Sequence, residues 1–130
     1  MLQQENRLRK KRDFDLVLKH GHWMSGRILA LKYVELAKIR DYFPKKEDPD
    51  NFEKQLKLAI VVGVKVSKSA VKRNRARRQM RETVRLLIKA GRIKVGYYIM
   101  VVAKNGVLGA NYADISQEVE SLLRKIKVLS

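Results

Sequence analysis

The run LAIVVGVKV at residues 58–66, the run AVKRNRARRQMRETVRLLIKA at 70–90 and the run YYIMVVA at 97–103 decide the fold. The first and third are short, apolar and rich in β-branched or aromatic residues, which is the composition of buried strands. In the second, Ala76, Met80, Thr83, Val84, Leu87 and Ile88 fall on one arc at about 100° per residue, the core face of a helix. Ser69 stands where an N-cap belongs and Gly91 where a helix stops. A strand, a helix and then a strand is the pattern of a crossover joining parallel strands. Gly63, inside the first strand, predicts a close backbone approach.

Toward the N-terminus, residues 28–36 turn to Leu, Tyr and Val with partial alternation and predict another strand. Before it, Phe14, Val17 and Leu18 recur at helical spacing and predict a first helix ending near Gly21. Toward the C-terminus, residues 104–110 form a glycine-bearing loop. Asn111 then caps a last helix, with Asp114 three residues on and Ile115, Val119, Leu122, Leu123 and Ile126 in one stripe. Residues 41–53 hold both prolines and five of the thirteen acids, so they read as a solvated loop that points away from a nucleic-acid surface or is mobile beside it. The order helix, strand, strand, helix, strand, helix predicts a small α+β single domain over 1–130 without internal repeats. A flexible basic N-terminus at 1–9 and an acidic loop insertion at about 40–55 complete the expectation.

The formal charge is +17, from 30 Lys and Arg against 13 Asp and Glu, which implies a polyanionic partner. A membrane is not expected, because no apolar run approaches about 18 residues. The opening residues also lack a signal-peptide core, so a cytoplasmic location is expected. The absence of cysteine excludes disulfides, thiol nucleophiles and cysteine-ligated zinc.

The charge is concentrated. Between residues 65 and 94, twelve lysines and arginines stand against one acid, Glu82. Arg73, Arg77, Arg81 and Arg85 form an i, i+4 row with Asn74 and Arg78 beside it. A merely solvated face mixes signs, whereas this one stacks like charges and makes sense when phosphates supply the counter-charge. Arginine dominates, and its planar fork bridges phosphate oxygens or stacks on bases as an ammonium cannot. Glu82 is expected to steady Arg78 or Arg85 rather than act as a base. His20 and His22, two residues apart with no third ligand nearby, make a poor metal site.

The string VSKSAVKRNRARRQMRE at residues 66–82 closely resembles the signature of the bacterial ribonuclease P protein subunit, an Arg-Asn-Arg helix continuing to Arg-Arg and Arg-Glu. Residues 8–27, the closing strand and the last helix match as well. The resemblance implies a small α+β sandwich akin to a ribosomal-protein domain, with a left-handed β-α-β crossover. It implies a subunit of a ribonucleoprotein endoribonuclease that removes the 5′ leader of precursor tRNA. The RNA subunit would perform the magnesium-dependent hydrolysis, one protein would serve each RNA, and the protein alone would have no catalytic or metal-ligating residue. Lys72, Arg73, Asn74, Arg75, Arg77, Arg78, Arg81 and Arg85 would then bind the catalytic RNA. A cleft for the leader would draw on Arg9, Lys11, Arg12, Phe14, Leu18, Arg27, Lys32, Lys65 and Lys68. The chain departs from the family pattern in three ways: Leu18 and Lys32 stand where family members carry aromatics, and the loop before Ser69 is shortened. Rival readings are a pure RNA-binding module such as a ribosomal protein or RNA chaperone, a protein-only nuclease, and a duplex DNA reader, although DNA is not the expected partner.

Overall fold

The computed structural model describes residues 2–42 and 53–129. Its elements are α1 (Lys11–His20), β1 (His22–Ser25), β2 (Leu29–Glu35), β3 (Leu56–Val61), α2 (Ala70–Lys89), β4 (Tyr97–Ala103) and α3 (Tyr112–Lys125). Short 3-10 segments lie at Gln4–Asn6, Leu36–Tyr42 and Asn105–Gly109. The strands form one sheet in the order β1-β2-β4-β3. β1 and β2 are an antiparallel hairpin and β2 runs antiparallel to β4. β3 and β4 are parallel, as the crossover pattern requires, with α2 as the connection.

Alternation along the strands divides the core in two. Leu29, Leu31, Leu56, Leu58, Ile99 and Val101 face α2 and α3, which contribute Ala76, Met80, Val84 and Leu87, and Ile115, Val119, Leu122 and Leu123. On the opposite face Val34, Tyr98 and Met100 meet Leu16 and Val17 of α1, with Leu8, Leu36 and Ile39. The Ser69 hydroxyl accepts the Lys72 N–H at the start of α2, and Gly91 takes φ +68° just past its end. Asn111 and Asp114 form a reciprocal capping box on α3. Across the layers, the Glu118 carboxylate accepts three backbone N–H bonds, from Arg27 at 2.9 Å, Ile28 at 2.7 Å and Leu29 at 2.6 Å, and so fastens α3 to the start of β2.

Four expectations change. β1 was not foreseen, because His22–Ser25 is only four residues long and mostly exposed, with no apolar alternation to mark it. β3 spans Leu56–Val61 rather than 58–66, since it ends where its pairing with β4 ends, at Val61 opposite Val102. Gly63 lies in the following turn, where a Cβ would meet nothing within 4 Å; close approaches occur instead at Gly21, against the carbonyl of Val17, at Gly26, against Glu118, and at Gly96. The N-terminal stretch expected to be loose is packed: Leu2 and Leu8 are buried, one in each half of the core, and Arg7 bridges to Leu58 along the outer edge of β3. The arginines and lysines of that stretch masked its two leucine anchors. Most of the acidic loop lies outside the described residues.

Candidate nucleic-acid interface

Burying Ala76, Met80, Thr83, Val84 and Leu87 turns the basic side of α2 outward. Lys72, Asn74, Arg75 and Arg78 are exposed, and Arg73, Arg77, Arg81 and Arg85 are half-buried along the margin, their stems packed and their heads at the surface. Arg73 donates to the Ser67 carbonyl at 2.8 Å and Arg77 to the Asn74 side chain at 2.6 Å, which fixes both guanidinium groups in place. Val71, Asn74, Arg77, Arg78 and Arg81 line a shallow open depression on this face. Glu82 is gripped by Arg85 through two hydrogen bonds, 3.0 and 2.6 Å. That contact holds the Glu82 carboxyl below the ordinary glutamate value and raises the Arg85 guanidinium. The single acid of α2 is therefore spent on Arg85, and past the helix Arg92 is paired with Glu120 at 3.2 Å.

The second surface lies between α1 and the sheet. Phe14 is half-buried against the α1-side core, and it lines a concavity of about 280 Å3 together with Arg7, Arg9, Ala59, Ile60 and Arg81. On the sheet, Ala59 is the small side chain that lines this space. Arg81 belongs at once to the α2 row and to the concavity, so the two basic surfaces meet at the β3 edge.

At the other end of α1, Leu18 is 52% exposed and contributes nothing to the core, in contrast to its place in the expected apolar stripe; the buried positions are Asp13, Leu16 and Val17. Lys32 donates to the Leu18 carbonyl at 2.9 Å. Asp13, fully buried, pairs with Arg12 at 3.3 Å and Lys57 at 3.9 Å, so that Arg12 is partly engaged within the fold. Lys11 is exposed on α1, and Lys65 and Lys68 are exposed on the turn between β3 and α2. Arg27 is exposed in the β1–β2 turn, where its backbone is tied to α3, the layer opposite α1. Among the described residues no three His, Cys, Asp or Glu side chains gather as metal ligands, and no helix is long and apolar enough to cross a membrane.

The family model described as Ribonuclease P matches residues 2–127. The chain belongs to the ribonuclease P protein family. Among its relatives, the ribonuclease P protein component of a Synechococcus strain is 34% identical over 129 residues, covering 99% of this chain and 87% of the relative. That of a Pseudanabaena strain is 33% identical, covering 99% and 97%. The fold is shared with the RNase P protein of Staphylococcus aureus, at a TM-score of 0.72 and 23% identity over 96% of this chain and 98% of that one. It is shared also with that of Thermotoga maritima, at 0.68 and 24% over 93% and 97%.

For a ribonuclease P family member, the residues carried over by motif do not all come together, Arg27 being tied to α3 and Lys65 and Lys68 standing on the turn before α2. Arg73, Asn74, Arg77, Arg78, Arg81 and Arg85 run along one side of α2, whereas Lys72 and Arg75 line a separate pocket with Gln79 and Val107; Arg9 and Phe14 share the concavity, and Leu18 and Lys32 meet at the end of α1. The shortened loop resolves into a turn closed by the Val66 N–H on the Gly63 carbonyl, followed by Ser67 and Ser69, whose side chains order the entry into α2. Sequence reasoning missed one residue on this surface. Trp23, on β1, lies opposite Lys32 in register and therefore on the α1 side of the sheet, where it remains 55% exposed. With β1 recognised as a strand, the alternation of Trp23 and Ser25 against His22 and Met24 would have found it.

Proposed function

We propose that this protein is the protein subunit of a cytoplasmic ribonuclease P ribonucleoprotein. It binds the catalytic RNA through the outer face of α2 and holds the 5′ leader of precursor tRNA in the cleft between α1 and the sheet. The RNA carries out hydrolysis with its own magnesium, and the protein contributes binding and orientation. The observation that carries this reading is the α2 face itself, a row of arginines held in place by local hydrogen bonds, with its only acid already paired. Such a row is a repulsive surface until phosphates neutralise it. The confluence at Arg81 supports a second element of the reading, since RNA docked on α2 would deliver a single strand into the adjoining concavity without a gap in positive potential.

Reconstitution tests it. Leader cleavage at low magnesium should appear when the protein is combined with its cognate RNA subunit, and neither component alone should match the pair. Failure of the protein to stimulate the RNA would leave a binding module of another ribonucleoprotein. Cleavage by protein freed of all nucleic acid would point to a protein-only nuclease. Equal competition by unrelated duplex DNA would remove the preference for RNA.

A further inference from the structure

We propose that Trp23 is a stacking platform for the base of an unpaired nucleotide at the β1 end of the cleft. The inference rests on reading that cleft as the site of a single-stranded leader. The chain has one tryptophan, and it sits on a four-residue edge strand with more than half its surface in solvent, where it adds little to the core. Its position is nonetheless determined by its neighbours. Trp23 faces Lys32 across the β1–β2 hairpin, and the Lys32 ammonium lies over the indole, 5.2 Å from the ring centroid. The same ammonium donates to the Leu18 carbonyl at 2.9 Å, so its own position is set by the last turn of α1. A cation so anchored holds one face of the ring, and the exposed remainder of the indole is open to a base.

The location matters as much as the exposure. Leu18, exposed at the end of α1, and Lys32 are joined by the hydrogen bond against which Trp23 lies. The cross-strand neighbour thereby supplies the π surface that these positions do not. Base stacking on an aromatic ring is tolerant of sequence, and a lysine beside the ring adds attraction for the phosphate of the same nucleotide. The recognised group is thus one unpaired nucleotide, base on indole and phosphate toward Lys32.

A single tryptophan makes the test direct. In holoenzyme reconstituted from the full chain and its cognate RNA, Trp23 emission should be quenched by leader-bearing precursor tRNA and much less by mature tRNA. Trp23→Ala should lower the ratio of precursor to mature tRNA affinity about tenfold, and Trp23→Phe should retain most of it. Unchanged emission and an unchanged ratio in Trp23→Ala, in an enzyme that still prefers the precursor, would overturn the stacking role while leaving the leader cleft intact. An enzyme whose wild type shows no preference for the precursor would overturn the cleft reading and this one with it. A Trp23→Ala effect confined to self-association of the free protein would make the indole a contact between copies and would equally dispose of the proposal.

Discussion

At the scale of single residues, Glu82, Phe14 and Asp13 each separate packing from recognition. Glu82 occupies two of the five donors of Arg85. Glu82→Gln should therefore free Arg85 for phosphate and tighten binding to the RNA subunit by about twofold to fivefold; unchanged or weaker binding in a titration would show that Arg85 does not reach the RNA. The sign of the pH effect follows from the lowered carboxyl: the contact with Arg85 is complete above the ordinary glutamate value and is lost as pH falls through the depressed one. Phe14 both packs on the core and lines the concavity. Phe14→Ala should cost about 1–2 kcal/mol in denaturant unfolding, below the range for a fully buried ring, and should also weaken discrimination for precursor over mature tRNA. A stability loss with no change in discrimination would make Phe14 a packing residue alone. Lys57 offsets the buried Asp13 charge from the sheet side, so Lys57→Ala is expected to destabilise by about 1–3 kcal/mol. That buried pair was invisible in the sequence, where Asp13 is one acid in a basic run; only the fold reveals which of its neighbours across the chain is Lys57.

At the scale of elements, legibility followed the strength of the periodic signal. β4, α2 and α3 emerged close to their predicted limits because long apolar runs or stripes and clear caps define them. β3 was misplaced at its end since Val62, Val64 and Val66 look like strand residues, yet its pairing with β4 ends at Val61 opposite Val102, one residue before β4 itself ends. β1 carried too few residues to announce itself, and Trp23 was lost with it. On α2, replacing Arg73, Arg77 and Arg81 together with alanine should leave the circular dichroism spectrum intact while weakening assembly with the RNA. The slope of log affinity against log salt should fall by about two to three, near one unit for each phosphate contact removed. A preserved slope would move the docking surface elsewhere. In α3, Glu118→Ala removes the acceptor of three backbone N–H groups and should destabilise the fold by about 2–4 kcal/mol, read from the unfolding midpoint.

At the scale of the whole molecule, charge was the most legible property and its distribution the most informative. A net +17 announced a polyanion, while the fold alone disclosed that the α2 row and the α1 cleft converge at Arg81. If about six to ten phosphates are engaged, affinity for the RNA subunit should drop by about three to five orders of magnitude between 50 and 200 mM salt, and a flat response would contradict the electrostatic basis of binding. The strand order β1-β2-β4-β3 also bears on how the chain is made. Of the two inner strands, β4 is the last strand to be synthesised, so β3 waits for its parallel partner and β2 for its second neighbour until about Ala103 has left the ribosome. Before then the nascent chain owns a lone hairpin and isolated helices, none of which is stable by itself. The four-stranded sheet therefore cannot close before β4 is made, and a polypeptide interrupted before Tyr97 lacks the strand that joins β2 to β3.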